Sequence, residues 1–157
     1  MSNVLEKHAD ELFCEYGEIA KTYIKEGKEH VPMFIFFGED NKHVVMFFNY
    51  RNQEEKLRGI NALKYKVNSE EGRSQFKEYL FLFEGWGVIV KDEKEIKKVV
   101  GKVAEQPDRM EYILLLYAHQ DGYKKSKRIQ IFREDNKITF IDTEGGENCE
   151  SIFYLYN

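Results

Sequence analysis

The chain has 157 residues, 42% hydrophobic and 33% charged, with a net charge of −4. That length favours one domain of about 100–200 residues, and the composition excludes a disordered chain. The acidic balance disfavours nucleic acid as the main partner, because tight phosphate binding needs a basic face.

Leu5, Ala9, Leu12, Tyr16, Ile19, Ala20 and Tyr23 recur at three- and four-residue steps. This spacing predicts an amphipathic helix over 3–26, capped by Ser2 or Asn3 and ended by Gly27. Residues 31–37 and 43–50 read as strands around the polar turn 38–42, so they predict a hairpin. Pro32 cannot donate a ladder hydrogen bond and belongs at the strand's start or on an edge.

Asn52 with Glu55 has capping-box spacing, and Leu57, Ile60, Leu63 and Val67 follow on one helical face. Gly72 is expected to end this second helix or its frayed tail. Residues 75–90 read as a strand, with Gly85 and Gly87 marking a bulge or a close approach. Asp92 and Glu95 repeat the capping-box spacing ahead of a short helix over 93–104. A strand over 111–118 follows, then a turn over 119–126 and a hairpin of 128–133 with 137–142. Residues 151–156 are expected to add an edge strand. The predicted class is a single α+β domain over 1–157: a largely antiparallel sheet of five to six strands with two long helices and one short helix packed on it.

Residues 33–37, 79–83 and 112–117 are apolar on both strand faces, so both sides of the sheet must be covered. Helices can do this, and so can a second copy, which makes a homodimer an expected partner arrangement.

Glu84 and Trp86 lie two apart and share a strand face. Arg109 and Glu111 do the same where the next strand begins, after Pro107-Asp108. If the strands pair, Glu84, Trp86, Asp108, Arg109 and Glu111 form a candidate binding site at one end of the sheet. Three carboxylates can hold a divalent cation, and an arginine can grip a phosphate or carboxylate. The plainer reading has Asp108 cap the turn, Arg109 pair with Glu111 or Glu84, and Trp86 cover the end of the core.

Glu84-x-Trp86 and Glu105-x-Pro107-Asp108-Arg109-x-Glu111, followed by an apolar strand and a hairpin, carry a resemblance. The pattern resembles a family of small uncharacterised proteins of bacteria, archaea and phages. It covers roughly residues 55–142. That family's pattern is Glu-x-Trp at a strand end, then Pro-Ser-Glu-x-Pro-Asp-Arg-x-Glu-x-Leu before another strand. Val103 and Ala104 stand where the family has Pro-Ser, and Ile113 stands where it has Leu. The resemblance implies the strand boundaries and the site, and no reaction.

His8, His30, His43 and His119 show no metal-ligand spacing, although His30 and His43 flank one hairpin. His8 reads as a satisfied histidine beside the first helix's apolar face. Cys14 and Cys149 are too far apart for a metal motif and read as reduced thiols of a cytoplasmic protein. No apolar run reaches the ~18 residues of a membrane span. No nucleophile elbow, dinucleotide fingerprint or phosphate loop occurs, and no cofactor is expected. Lys124-Lys125-Ser126-Lys127-Arg128 is a basic cluster expected at a hairpin tip, where it could touch single-stranded nucleic acid. The leading expectation is a non-enzymatic, dimeric binding protein. The alternatives are a metal-dependent hydrolase using Glu84, Asp108 and Glu111, and a nucleic-acid-associated protein.

Overall fold

The computed structural model describes residues 2–28, 32–88, 90–100, 102, 105–143, 151 and 153–157, without the side chains of 2, 3 and 41. The cap expected at Ser2 or Asn3, His30 and Cys149 therefore fall outside the described residues. The elements in chain order are α1 (Ser2–Lys25), β1 (Met33–Gly38), a short helical turn (Glu39–Asn41) and β2 (His43–Phe47). Then come α2 (Gln53–Val67), α3 (Glu70–Gln75), β3 (Phe76–Gly87) and α4 (Glu93–Val99). β4 (Met110–His119), β5 (Lys124–Glu134) and β6 (Lys137–Thr143) complete the order. The class is α+β, and the strands form one sheet of order β2-β1-β3-β4-β5-β6, antiparallel at every pairing.

Local chemistry sets most boundaries. Asn52 Oδ1 accepts from Glu55 N at 2.9 Å, and Asp92 Oδ1 accepts from Glu95 N at 3.0 Å, so both predicted caps start their helices. Each glutamate reaches back one residue before its cap, to the N–H of Arg51 or Lys91, at 2.8 Å. Gly27, at φ 73°, ends α1 in the left-handed conformation that glycine tolerates. Pro32 lies just before β1, where its carbonyl accepts from Phe48 N. The β5–β6 turn puts Asp135 and Asn136 at positive φ, the pattern of a two-residue hairpin turn.

Several expectations are corrected. Gly72 does not end α2. The helix stops at Val67, and Ser69 caps the separate α3 by accepting from Gly72 N at 3.1 Å. A Cβ on Gly72 would lie 2.2 Å from the Lys66 carbonyl oxygen, so only glycine lets the two helices meet this closely. Gly85 and Gly87 form no bulge, since β3 and β4 stay in continuous register. They serve close approach instead: a Cβ on Gly87 would sit 2.9 Å from the Tyr112 ring. α4 stops at Val99 rather than 104, and β5 begins at Lys124 rather than 128.

Both sheet faces are covered by the chain itself. Ala9, Leu12, Phe13, Ala20 and Ile24 of α1 pack on Ile35, Leu80, Leu82, Ile113, Leu115, Tyr117, Ile129 and Ile131. The buried helix face is shifted from the predicted one. Phe13 and Ile24 point inward, while Ile19 and Tyr23 are partly exposed. On the opposite face, Ile60, Leu63 and Val67 of α2 pack with Phe34, Phe36, Tyr79, Phe81 and Leu116. Burying each such large side chain contributes roughly 1.5–3 kcal/mol.

The tail completes this second layer and is not the expected edge strand. Residues 151 and 153–157 are not in a strand. Phe153, Tyr154 and Leu155 are consecutive and buried, which an alternating edge strand would not allow. Their backbone bonds to side chains under the sheet. Tyr79 Oη donates to Phe153 O at 2.8 Å and accepts from Leu155 N at 2.6 Å. Asn68 Nδ2 donates to Leu155 O at 2.8 Å.

Candidate functional site

Register sets the rim. Trp86 pairs with Glu111, and Glu84 pairs with Ile113, so Glu84, Trp86 and Glu111 project from the α1-side face of the sheet. They lie past the apolar residues that α1 covers, and Trp86 is 48% exposed. Arg109 sits two residues ahead of Glu111 and stacks its guanidinium over the Trp86 ring, 4.8 Å from the centroid. Arg109 is also tethered locally, with Nη1 donating to Gln106 O at 3.1 Å.

The carboxylates have a different partner from the one expected. Arg133 of β5 donates from Nε to Glu111 Oε2 at 2.8 Å and brings Nη2 to 3.8 Å from Glu84 Oε1. The Glu111 hydrogen bond, helped by the charges of Glu111 and Glu84 and opposed by desolvation, holds the Arg133 guanidinium above its ordinary range. Arg133 was missed because it lies 22 residues beyond Glu111 in sequence. The β4–β5 register supplies the signal: Glu111 faces Ile131, so Arg133 shares its face one step further along.

Asp108 is exposed in the turn and, among the described residues, has no hydrogen bond or ion pair to the other site residues. The turn bond is made by Arg109 N to Gln106 O at 3.3 Å instead. Among the described residues, no three His, Cys, Asp or Glu side chains group as a metal site would require. The rim therefore brings together Glu84, Trp86, Arg109 and Glu111, adds Arg133, and leaves Asp108 beside them.

The basic cluster is not at a hairpin tip. The β4–β5 turn is built from Gln120 to Tyr123, with His119 N bonded to Tyr123 O at 2.8 Å. Residues 124–128 lie within β5, and their side chains alternate between faces. Lys125 Nζ lies 2.8 Å from Asp10 and 3.4 Å from Glu6, and Lys127 Nζ lies 3.1 Å from Asp142. Lys124 and Arg128 lie over the rings of Tyr154 and Tyr112.

Two further features lie outside the rim. His8 Nε2 lies 2.8 Å from Glu78 Oε1, and the Tyr117 hydroxyl donates to Glu78 Oε2, joining α1, β3 and β4. His8 is thus satisfied, as its place on α1 predicts. A groove of about 250 Å³ lies between β2 and α2–α3, lined by Phe36, Val44, Met46, Leu63, Val67 and Phe76 among others.

Among the described residues, no helix is long and apolar enough to cross a membrane. Comparison with protein-family models, curated proteins and solved structures gives no match to this chain.

Proposed function

We propose that the protein is a cytoplasmic, non-enzymatic binding module that uses the Trp86–Arg109 rim to contact a protein or peptide and associates with itself. One observation carries the reading: an exposed tryptophan and an arginine stack on each other, while the neighbouring Glu111 is held by Arg133 instead of by Arg109. Tryptophan and arginine are the residue types that dominate binding energy at protein interfaces. The same segments, 84–86 and 105–111, carry the resemblance to the small Glu-x-Trp proteins, whose membership is part of this proposal.

The hydrolase reading needs Asp108 to join Glu84 and Glu111 around a cation, and Asp108 stands apart from them. The nucleic-acid reading needs open cations, whereas Lys125 and Lys127 face carboxylates.

Selection from a random-peptide display library on the immobilised protein tests the rim. Peptides recovered on the native chain should lose about 30-fold or more in affinity to Trp86→Ala or Arg109→Ala, the cost of a hot-spot residue. Peptides that bind both variants as well as the native chain would place the contact elsewhere. A thermal shift with Mg²⁺, Mn²⁺, Zn²⁺ or Ca²⁺ that vanishes in Asp108→Ala would move the assignment to the hydrolase.

A further inference from the structure

The two edges of the sheet differ in chemistry. β6 carries Lys137 and Asp142, and Asp142 is engaged by Lys21 and Lys127. Charged side chains on an edge strand oppose pairing with another chain. β2 reads His43-Val44-Val45-Met46-Phe47, with no Asp, Glu, Lys, Arg, Pro or Gly. Its Val44, Val45 and Phe47 are 43%, 53% and 64% exposed.

The ladder shows which backbone groups of β2 are open. Phe48 N bonds to Pro32 O, and Gly38 N bonds to Lys42 O, both at 2.7 Å. Hydrogen-bonded pairs alternate along an antiparallel ladder. With Met33 opposite Phe47 and Phe37 opposite His43, Met46 and Val44 are the residues that bond to β1. The N–H and C=O groups of His43, Val45 and Phe47 therefore point away from the sheet. Val45 is the middle of the three and the middle of the strand.

We propose that the protein dimerises by antiparallel pairing of β2 with β2 of a second copy about a two-fold axis through Val45. This deepens the self-association part of the proposed function and rests on it. The register places Val45 opposite Val45 and His43 opposite Phe47, so all three outward residues meet outward residues. A shift by one residue would oppose outward to inward groups. On the α1 side, Phe47 comes to lie beside the partner's His43, extending the edge-on contact that His43 makes with Phe37 at 5.0 Å. On the other side, Met46 meets the partner's Val44 at the lip of the groove.

Geometry selects the direction. Antiparallel pairing about a two-fold axis perpendicular to the sheet keeps the α1 side of both copies on one face and lets each outward residue bond an outward residue opposite it. The contact is a short edge, so the dimer is expected to be reversible and concentration-dependent.

Sedimentation velocity of the full chain over a concentration series, with two variants, tests this. The native chain should form dimer at high concentration. Val45→Lys should remain monomeric, with thermal unfolding unchanged at dilution because the side chain is exposed. Val45→Cys in a Cys14→Ser/Cys149→Ser background should form a reducible dimer on mild oxidation, and Thr139→Cys on β6 should not. Cα atoms of a hydrogen-bonded antiparallel pair lie about 5.5 Å apart, within disulfide reach. A native chain that stays monomeric overturns this pairing and self-association together. A dimer that persists in Val45→Lys, or one that Val45→Cys fails to cross-link, overturns the β2 pairing and leaves self-association standing.

Discussion

Arg109 lies over the ring of Trp86 at 4.8 Å, although the residue directly across the ladder from Trp86 is Glu111. Glu111 is taken by Arg133 instead, and the Arg109 guanidinium lies on the ring face. This division of labour leaves an aromatic–cation platform at the surface beside the Glu84–Arg133–Glu111 ion cluster.

Trp86 is the chain's one tryptophan, so its fluorescence reports the platform directly. Arg109→Ala should raise the acrylamide quenching constant of that fluorescence by uncovering one ring face. It should cost no more than about 0.5–1 kcal/mol of stability, the scale of an exposed cation–π contact. Unchanged quenching would mean that the stack does not persist in solution.

Arg133→Met should leave Glu84 and Glu111 as neighbouring carboxylates without their shared cation. Arg133 is half exposed, so the loss should be about 0–1 kcal/mol in urea unfolding. The double variant Arg133→Met/Glu111→Gln should recover part of it. A double variant that falls further would show that the two residues act separately.

Tyr79 is fully buried, and its hydroxyl both donates to and accepts from the tail backbone. Tyr79→Phe strands the Leu155 N–H and the Phe153 carbonyl without changing shape. The expected cost is about 1–3 kcal/mol, with faster amide exchange at Leu155. A neutral result would mean that the tail is held by its apolar contacts alone.

Burial raises the phenols of Tyr79, Tyr117 and Tyr156 above the ordinary 10.0, helped at Tyr117 by its hydrogen bond to Glu78. A raised folded-state value means the folded protein holds these protons after the unfolded chain releases them. Their contribution is therefore complete below about pH 10 and is lost as pH rises above it. Stability should fall across that range, and the three phenols should ionise only with unfolding. A smooth alkaline titration of all ten tyrosines while the fold persists would contradict this.

Asp142 titrates in the opposite sense. The Lys127 hydrogen bond, aided by the charges of Lys127 and Lys21, holds its carboxyl below the usual range. Its contribution is present above the unfolded carboxylate value and is lost as pH falls through the lowered one. Lys127→Met should lower stability by about 0–1 kcal/mol at neutral pH. The gap to the native chain should close in acid, as followed by thermal unfolding.

Sequence chemistry announces local events well. Asn52 and Asp92 cap helices because a side-chain oxygen three residues ahead of a free N–H needs no tertiary help. The apolar runs at 33–37 and 79–83 require cover on two faces, and α1, α2 and the tail provide it. What was not legible depends on partners distant in sequence. Lys124 to Arg128 resembles a turn because its charges find Glu6, Asp10 and Asp142 only after folding. Phe153 to Leu155 resembles a strand because its backbone partners are the side chains of Tyr79 and Asn68. Of the site, the gathering of Glu84, Trp86, Arg109 and Glu111 at one end of the sheet was readable from spacing, and Arg133 was not.

The chain seals both faces of its sheet, and the proposed contacts fall on the Trp86 rim and the outer edge of β2. Amide hydrogen exchange at two protein concentrations tests it most directly. Exchange at Leu80–Leu82, Leu115–Ala118 and Leu155 should be slow and independent of concentration. Exchange at His43, Val45 and Phe47 should be fast at dilution and slow as concentration rises. Fast exchange of the central strands at dilution, or protection there that grows with concentration, would contradict it.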